Sequence, residues 1–247
     1  MGALIINGDD WGQDALTTDR IAECVFRRTV SSVSAMVFMQ DSERAGAIAR
    51  EHGIDTGLHL NLTEPFSAAV CPAHLKAHQG RIASYLRRFH PLSTILFHPG
   101  LARSFEYVIR AQREEFHRLY GQEPTRIDGH HHMHLCSNVL LAGLLPAGTV
   151  IRRSFSFRPG EKRFYNRLYR KVVDRAVARN HQLTDYFFSI EPMEEPGRLQ
   201  RIASLARSYV VEMETHPVRP KEYDFLRNGT ICRLLTGCQI AVGFRVS

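Results

Sequence analysis

Two adjacent carboxylates and a run of imidazoles are the groups in this 247-residue chain best suited to chemistry. Asp9 and Asp10 follow Asn7-Gly8, and His130, His131, His132 and His134 follow Asp128-Gly129. Carboxylate and imidazole are donors for a divalent cation, and a catalytic cation keeps an open position beside about three protein ligands. Neighbouring side chains in an extended segment point different ways, so one aspartate can bind a cation while the other faces a water. An aspartate here is also a common helix N-cap. In an extended chain His130, His132 and His134 share a face, with His131 opposite. Not all of them can be ligands, and the rest orient ligands or touch substrate. The bland reading of this run is a histidine-rich surface loop that takes up metals adventitiously. Asp128 is suited to orienting an imidazole or a water.

These groups need elements that bring them together. Residues 3–7 read as a buried strand ending just before Asp9 and Asp10. Residues 17–28 have helical spacing, with Thr17 or Thr18 as cap. Residues 32–38 and 55–60 read as strands, the second ending in His59, with a helix from Asp41 to a stop at Gly53 between them. A helix over 101–120 precedes a short strand ending in Asp128. A helix over 137–145, a strand over 149–152 ending in Arg152, a helix over 196–207 and a strand over 209–214 follow. The last strand delivers His216, and Pro217 stops it. Residues 240–246 read as a closing segment. This alternation predicts a parallel sheet in one α/β domain, and in parallel barrels the C-terminal strand ends carry the site. His59 and His216, weak alone, gain weight from that convergence. Residues 61–100, with Pro65, Pro72, Pro91 and Pro99 and a basic piece over 81–88, break the rhythm and read as an insertion or lid over the site.

Composition narrows the rest. Forty-four per cent hydrophobic residues is ordinary globular content. A formal charge of +7 favours anionic partners, but no nucleic-acid-binding signature accompanies it. Cys24, Cys71, Cys136, Cys232 and Cys238 form no CxxC pair, so reduced thiols and a cytoplasmic location are expected. The N-terminal apolar run is too short for a signal peptide, and Ile6 stands where myristoylation wants Ser or Thr. No GxGxxG, P-loop or GxSxG motif is present. Cys–His catalysis through Cys136 would leave the two aspartates unexplained.

Four separated segments carry a resemblance: Asn7-Gly8-Asp9-Asp10-Trp11-Gly12, Gly57-Leu58-His59-Leu60-Asn61-Leu62-Thr63, the run from Pro124 through Asp128-Gly129-His130 to His134, and Glu212 to Pro217. In these the chain resembles the YdjC-like carbohydrate deacetylases, the family of chitooligosaccharide and hopanoid-associated deacetylases. The resemblance implies a distorted (β/α) TIM-like barrel and metal-dependent removal of N-acetyl groups from amino sugars. By motif position it implies Asp10, His59 and His130 as ligands of one divalent ion (Mg, Zn, Co, Ni or Mn), Asp9 as general base and His216 as acid or transition-state stabiliser. Asp128, His132, His134 and Arg152 are then supporting or substrate-contacting candidates. Trp11 stands where the family usually has Phe, and Gly129 where it has Ser. Residues 61–100 and 160–180 are less family-like, which leaves the saccharide open.

The expected function is therefore hydrolysis of an N-acetyl group on a saccharide or glycolipid. Another metal-dependent amidohydrolase or a phosphoesterase is the alternative, since Asp/His sites serve those reactions too. A lipid- or nucleic-acid-binding protein would leave the aspartates and histidines without a role. Lys162, Arg163, Arg167, Arg170, Lys171, Arg175 and Arg179 interleave with apolar residues over 160–180. That pattern suits either a solvated outer helix or weak contact with an anionic membrane surface, such as the inner face of a membrane. A homo-oligomer is compatible with all of this.

Overall fold

In the computed structural model, residues 2–88, 92–158, 160–231, 240, 241, 243 and 244 are described. Strand β1 (Ala3–Trp11) is buried along its whole length, which requires cover on both faces. It is longer than the expected 3–7, so Asp9 and Asp10 lie within its end rather than beyond it. The β1–β2 register shifts between Gly8 and Trp11, and Asp10 has φ 70°, a left-handed kink that turns its side chain away from that of Asp9.

Helix α1 (Ala15–Phe26) begins one turn before the expected cap. Asp14 accepts the Thr17 N–H at 2.8 Å, and Thr17 and Thr18 sit inside the first turn. Strand β2 (Ser32–Ala35) stops short of residue 38, where Phe38 has φ 59°. Helix α2 (Ser42–His52) ends as expected at Gly53, whose φ of 61° suits a residue without Cβ. Strand β3 (Thr56–Leu60) follows. Helices α3 (Ala73–Arg88), α4 (Leu92–Ile95) and α5 (Ala102–Tyr120) come next, α3 packing on α5. Strand β4 (Ile127–Gly129) leads into a 3-10 turn, His130–Leu135.

Helix α6 (Ser137–Leu140) is shorter than the expected 137–145, because Gly143 turns left-handed at φ 61° ahead of Pro146. The expected strand 149–152 is reduced to isolated bridges, Ile151 to Ile127 and Val150 to Gln182. Helix α7 (Phe164–Val177) is the basic helix. It is followed by β5 (Tyr186–Ser189), α8 (Arg198–Ala206), β6 (Val210–Thr215) and α9 (Pro220–Arg227). The sequence pattern did not reveal β5 or α9. Of the expected closing segment, Ile240 bridges Leu4. Val242 and residues 245–247 lie outside the described residues, as do Cys232, Cys238 and Pro91.

The sheet runs β4-β3-β2-β1-β6-β5, with every pair parallel. It curls into a half-barrel flanked by helices, one α/β domain consistent with a distorted TIM-like barrel. Leu4, Ile6, Val33, Leu58, Ile127, Val211 and Met213 fill its core at no measurable exposure. Trp11 is fully buried, and its indole N–H donates to the Ala45 carbonyl at 3.3 Å, tying β1 to α2. Among the described residues no helix is long and apolar enough to cross a membrane.

Candidate functional site

Parallel pairing brings the C-terminal ends of β1, β3, β4 and β6 to one rim. His59 is the register partner of Asp128, and Asn7 that of Glu214. Asp10 Oδ1 lies 3.3 Å from His59 Nε2 and 2.9 Å from His130 Nδ1. Donors about 2.0–2.1 Å from one cation sit about 3.0–3.4 Å apart, so this trio has the spacing of a ligand set. A donor atom from each of the three falls within 4.8 Å of the others.

The surroundings orient that trio. His59 Nδ1 is 2.8 Å from Asp128 Oδ1, an arrangement that aims Nε2 at Asp10. Burial opposes charge on His59, but Asp128, Asp10 and Asp9 outweigh it and push the imidazole up to about 10. A proton thus stands between carboxylates where a cation would replace it. Burial also opposes charge on Asp10, yet hydrogen bonds from His130 and His59 hold it well below the usual carboxylate range.

Arg152 is the hub behind the trio. Its guanidinium is buried and grips Asp9 at 2.6 and 2.8 Å, Asp128 at 3.0 Å and Glu212 at 2.6 Å. Desolvation of Asp9 is outweighed by Arg152 and His59, so the carboxyl stays ionised. Asp128, also desolvated, is held well below its ordinary range by Arg152, His59 and Arg126. Asn7 Nδ2 donates to Asp9 at 2.6 Å, and Ser34 Oγ donates to Asp128 at 2.6 Å. Arg126 bonds Asn7 and reaches Ser34 at 3.0 Å. Gly57 makes room for it, since a Cβ there would stand 2.5 Å from Arg126 Cγ.

The histidine run is not extended. His131 and His132 have φ of 55° and 57° inside the 3-10 turn, so the shared face expected for His130, His132 and His134 does not form. His130 alone of the run joins Asp10 and His59. His131 is exposed and meets Thr63 Oγ1 at 3.1 Å. His132 lies 3.7 Å from Glu214 and packs edge-on to Phe155, with ring centres 4.7 Å apart. His134 is buried, donates from Nε2 to the Arg152 carbonyl at 2.9 Å and is pushed down to about 4 by burial. It is a neutral strut for the Arg152 backbone. Gly129 makes room for it: a Cβ there would lie 3.0 Å from His134 Cβ, which accounts for glycine at that position.

His216 follows β6, and its backbone N–H donates to Glu222 at 2.6 Å. Burial pushes its imidazole down against the smaller opposing pull of Asp9 and Asp10. Cys136 is buried with its thiol pushed up to about 11 by desolvation, which keeps it unreactive.

Sequence reasoning left Asn7, Ser34, Arg126, Glu212 and Glu214 without roles. Two of those pairs carry a signal: Asn7 with Asp9, and Glu212 with Glu214, are two apart on buried strands and so share a face. Burial raises the Glu212 carboxyl, and burial with Asp9 raises that of Glu214 well above its ordinary range. Five carboxyl groups (Asp9, Asp10, Asp128, Glu212, Glu214) thus share this interior with the guanidiniums of Arg126 and Arg152 and the imidazole of His59. A second donor set, Asp9, His59 and Asp128, is already spent on Arg152 and on the His59–Asp128 contact.

Two hollows adjoin the site. One of about 390 Å³ is lined by Thr63, Glu64, Leu86, Arg87, His131 and Met133. Another of about 370 Å³ opens by Phe155, Phe157, Phe188 and Ser189. A larger one of about 540 Å³ lies at the opposite end of the sheet by Gly53, Asp55, Thr56 and Thr125 and is lined by no histidine among the described residues.

The chain is 34% identical over 142 residues to a mouse carbohydrate deacetylase, covering 55% of this chain and 44% of that protein. It is 29% identical over 182 residues to a chitooligosaccharide deacetylase of Enterobacter sp. (strain 638), covering 73% and 63%. The matched stretches thus span about half to two thirds of those relatives' lengths. In fold it is similar to the crystal structure of a candidate cellobiose-phosphate cleavage protein from Enterococcus faecalis V583, with a TM-score of 0.64, 19% identity and 97% of each chain covered. The family model described as YdjC-like protein matches residues 3–232, and the chain belongs to that family.

Proposed function

We propose that this protein is a metal-dependent hydrolase that removes an N-acetyl group from an amino-sugar-containing saccharide or glycolipid. The observation that carries this reading is the Asp10–His59–His130 trio beside an ionised, buried Asp9, in a chain whose relatives include named carbohydrate deacetylases. Asp10, His59 and His130 would hold one divalent ion: Mg, Zn, Co, Ni or Mn. When bound, such an ion supplies Lewis acidity toward an acyl oxygen and toward water.

The chain's own groups do the rest. Asp9 accepts the proton of the attacking water. Arg152 and Asn7 fix its carboxylate: together they fill both lone pairs of Oδ1 and one of Oδ2, which leaves the second Oδ2 lone pair for that proton. The hydroxyl goes to the acetyl carbon, the C–N bond breaks, and His216 gives the departing nitrogen its proton. Because burial favours neutral His216 at rest, it first receives the proton that Asp9 took from the water and then passes it to the nitrogen, so the water's OH ends on the acetyl group and its proton on the amine. Asp128 holds the His59 ring, and His134 holds the Arg152 backbone. The described part of the 61–100 segment reaches the site through the Thr63–His131 contact, as a lid would, and the two hollows, one lined by His131 and the other by Phe155, which packs on His132, give a saccharide room to lie. A cytoplasmic location fits the free thiols of Cys24, Cys71 and Cys136.

Acetate release from N-acetylated mono- and oligosaccharides and glycolipids, measured with each metal in turn, tests the proposal. Release that is lost on chelation and restored by metal supports it. Phosphate release from phosphoesters without acetate release would move the assignment to a phosphoesterase.

A further inference from the structure

Helix α7 reverses the ordinary partition of a surface helix. Only Val173, Asp174 and Val177 are buried. Phe164, Leu168 and Val172, four residues apart, and Tyr165 and Tyr169, also four apart, form one outward stripe. All five are exposed, Tyr165 at 81%. Such a stripe normally faces a core.

The stripe does not end at the helix. The Tyr169 hydroxyl lies beside the Thr94 side chain, which brings α7 against α4. Ser137 Oγ donates to the Thr94 carbonyl at 3.2 Å, which joins α4 to α6. Leu92, Ile95, Leu96 and Phe97 are exposed around that junction, and Leu141 just past α6 is 74% exposed. Three neighbouring segments therefore present large apolar side chains to the outside, more than scattered surface residues account for.

Cations border this face. Lys162, Arg163, Lys171, Arg175 and Arg179 are all exposed on or beside α7. The acids close to them in sequence are engaged elsewhere: Asp174 by Arg153 at 2.9 Å and Glu161 by Arg201 at 3.5 Å. An exposed apolar stripe edged by Lys and Arg that have no acidic partner among the described residues is complementary to a surface with an apolar interior and anionic headgroups.

We infer that the face formed by α7, α4 and the end of α6 docks on an anionic lipid bilayer, the apolar stripe entering the headgroup boundary and the cations pairing with the headgroups. The same helix adjoins the site: the Arg170 guanidinium lies over the Phe155 ring at 5.9 Å, and Phe155 packs on His132. Docking would hold the rim of the sheet close to the membrane. This inference goes beyond the deacetylase reading, and its test reads partitioning rather than acetate, so either can fail alone.

The experiment is co-sedimentation of the full chain with phosphatidylcholine vesicles, with and without phosphatidylglycerol, at low and high salt. The expected result is binding that needs phosphatidylglycerol and weakens with salt. Leu168→Asp/Val172→Asp should weaken it at least tenfold, and Lys171→Glu/Arg175→Glu by about fivefold per cation or more. These positions are exposed, and a circular-dichroism melt checks that each variant folds. Equal binding to both vesicle types, or variants that bind like the parent, would overturn the inference. So would a dimer in sedimentation that Leu168→Asp/Val172→Asp converts to monomer, since that assigns the face to a second copy.

Discussion

The rim of the sheet and the outer face of α7 break the burial rule in opposite directions. At the rim, five carboxyl groups and two guanidiniums lie out of water. On α7, five large apolar side chains face it. Each exception costs stability, because charges lose hydration and apolar surface keeps it. The difference lies in how the cost is met. The buried charges are paired within the chain, by Arg152 with Asp9, Asp128 and Glu212. Among the described residues the apolar stripe has no such internal solution. On the readings proposed above, the first region would accept a small cation and a substrate, and the second would be half of an interface.

The largest expected effect tests whether the buried charges act in chemistry or only hold the fold. Asp9→Asn keeps the shape and can still accept from Asn7, but it cannot take a proton from water. Acetate release should fall about 10²–10⁴-fold, with metal binding, read by isothermal titration, largely kept. An Asp9→Asn protein with full kcat would remove Asp9 from the chemistry and leave it a partner of Arg152 only.

Arg152→Met tests the pairing itself. Removing one partner leaves Asp9 and Glu212 buried without their guanidinium and Asp128 with only Arg126 and His59, a loss of about 3–5 kcal/mol in urea unfolding. An unchanged midpoint would mean that water reaches the rim and that the contrast with α7 is overstated.

Glu222 supplies a pH test of the same region. Burial pushes its carboxyl up to about 7, despite the His216 N–H and Arg219. Its folded value lies above the ordinary 4.5, so the folded state holds the proton that the unfolded state has released. This group's contribution to stability is therefore full below about pH 4.5 and declines as pH rises through about 7. The change is about 3 kcal/mol by linkage. Glu222→Gln should flatten that part of the stability profile, and an unchanged slope would show that the carboxyl is ionised in the fold.

A smaller effect separates the ligands from their supports. Asp128→Asn keeps the volume and a possible bond to His59 but loses the charge that orients the ring. Metal affinity should drop about 10–100-fold, against near-complete loss for Asp10→Ala. Equal losses would make Asp128 a ligand itself.

How much of this contrast was legible beforehand depends on the range of the interaction. Strands β1, β3 and β6 announce themselves as apolar runs, and each ends in Asp, His or Glu-Thr-His, so the rim and the Asp10, His59, His130 trio could be assembled from strand ends and motif resemblance. Gly53 marks the end of α2, left-handed as expected. What stayed hidden depends on distant partners or on unusual backbone. Arg152 is a supporting candidate in the sequence, but its simultaneous grip on Asp9, Asp128 and Glu212 arises only where the ends of β1, β4 and β6 meet. The left-handed turn at His131 and His132 is a conformation that histidine rarely adopts, so spacing alone suggested an extended run. Strand β5 is only Tyr186–Ser189, too short for its alternation to stand out. The basic helix was legible, but not that its apolar residues face outward, because periodicity defines a stripe without saying which way it points.

That last ambiguity gives the smallest effect expected and the sharpest form of the comparison. In a helix packed the usual way, Leu168→Asp would bury a carboxylate and cost several kcal/mol. Here Leu168 is exposed, so little apolar burial is lost on folding and the new charge is hydrated. The change in urea midpoint should stay within about 0.5 kcal/mol. The same substitution on the buried side, Val173→Asp, places a charge against the sheet and should cost several times more. If Leu168→Asp destabilised as strongly as Val173→Asp, the stripe would already be covered in the free protein, and the two regions would obey the same rule after all.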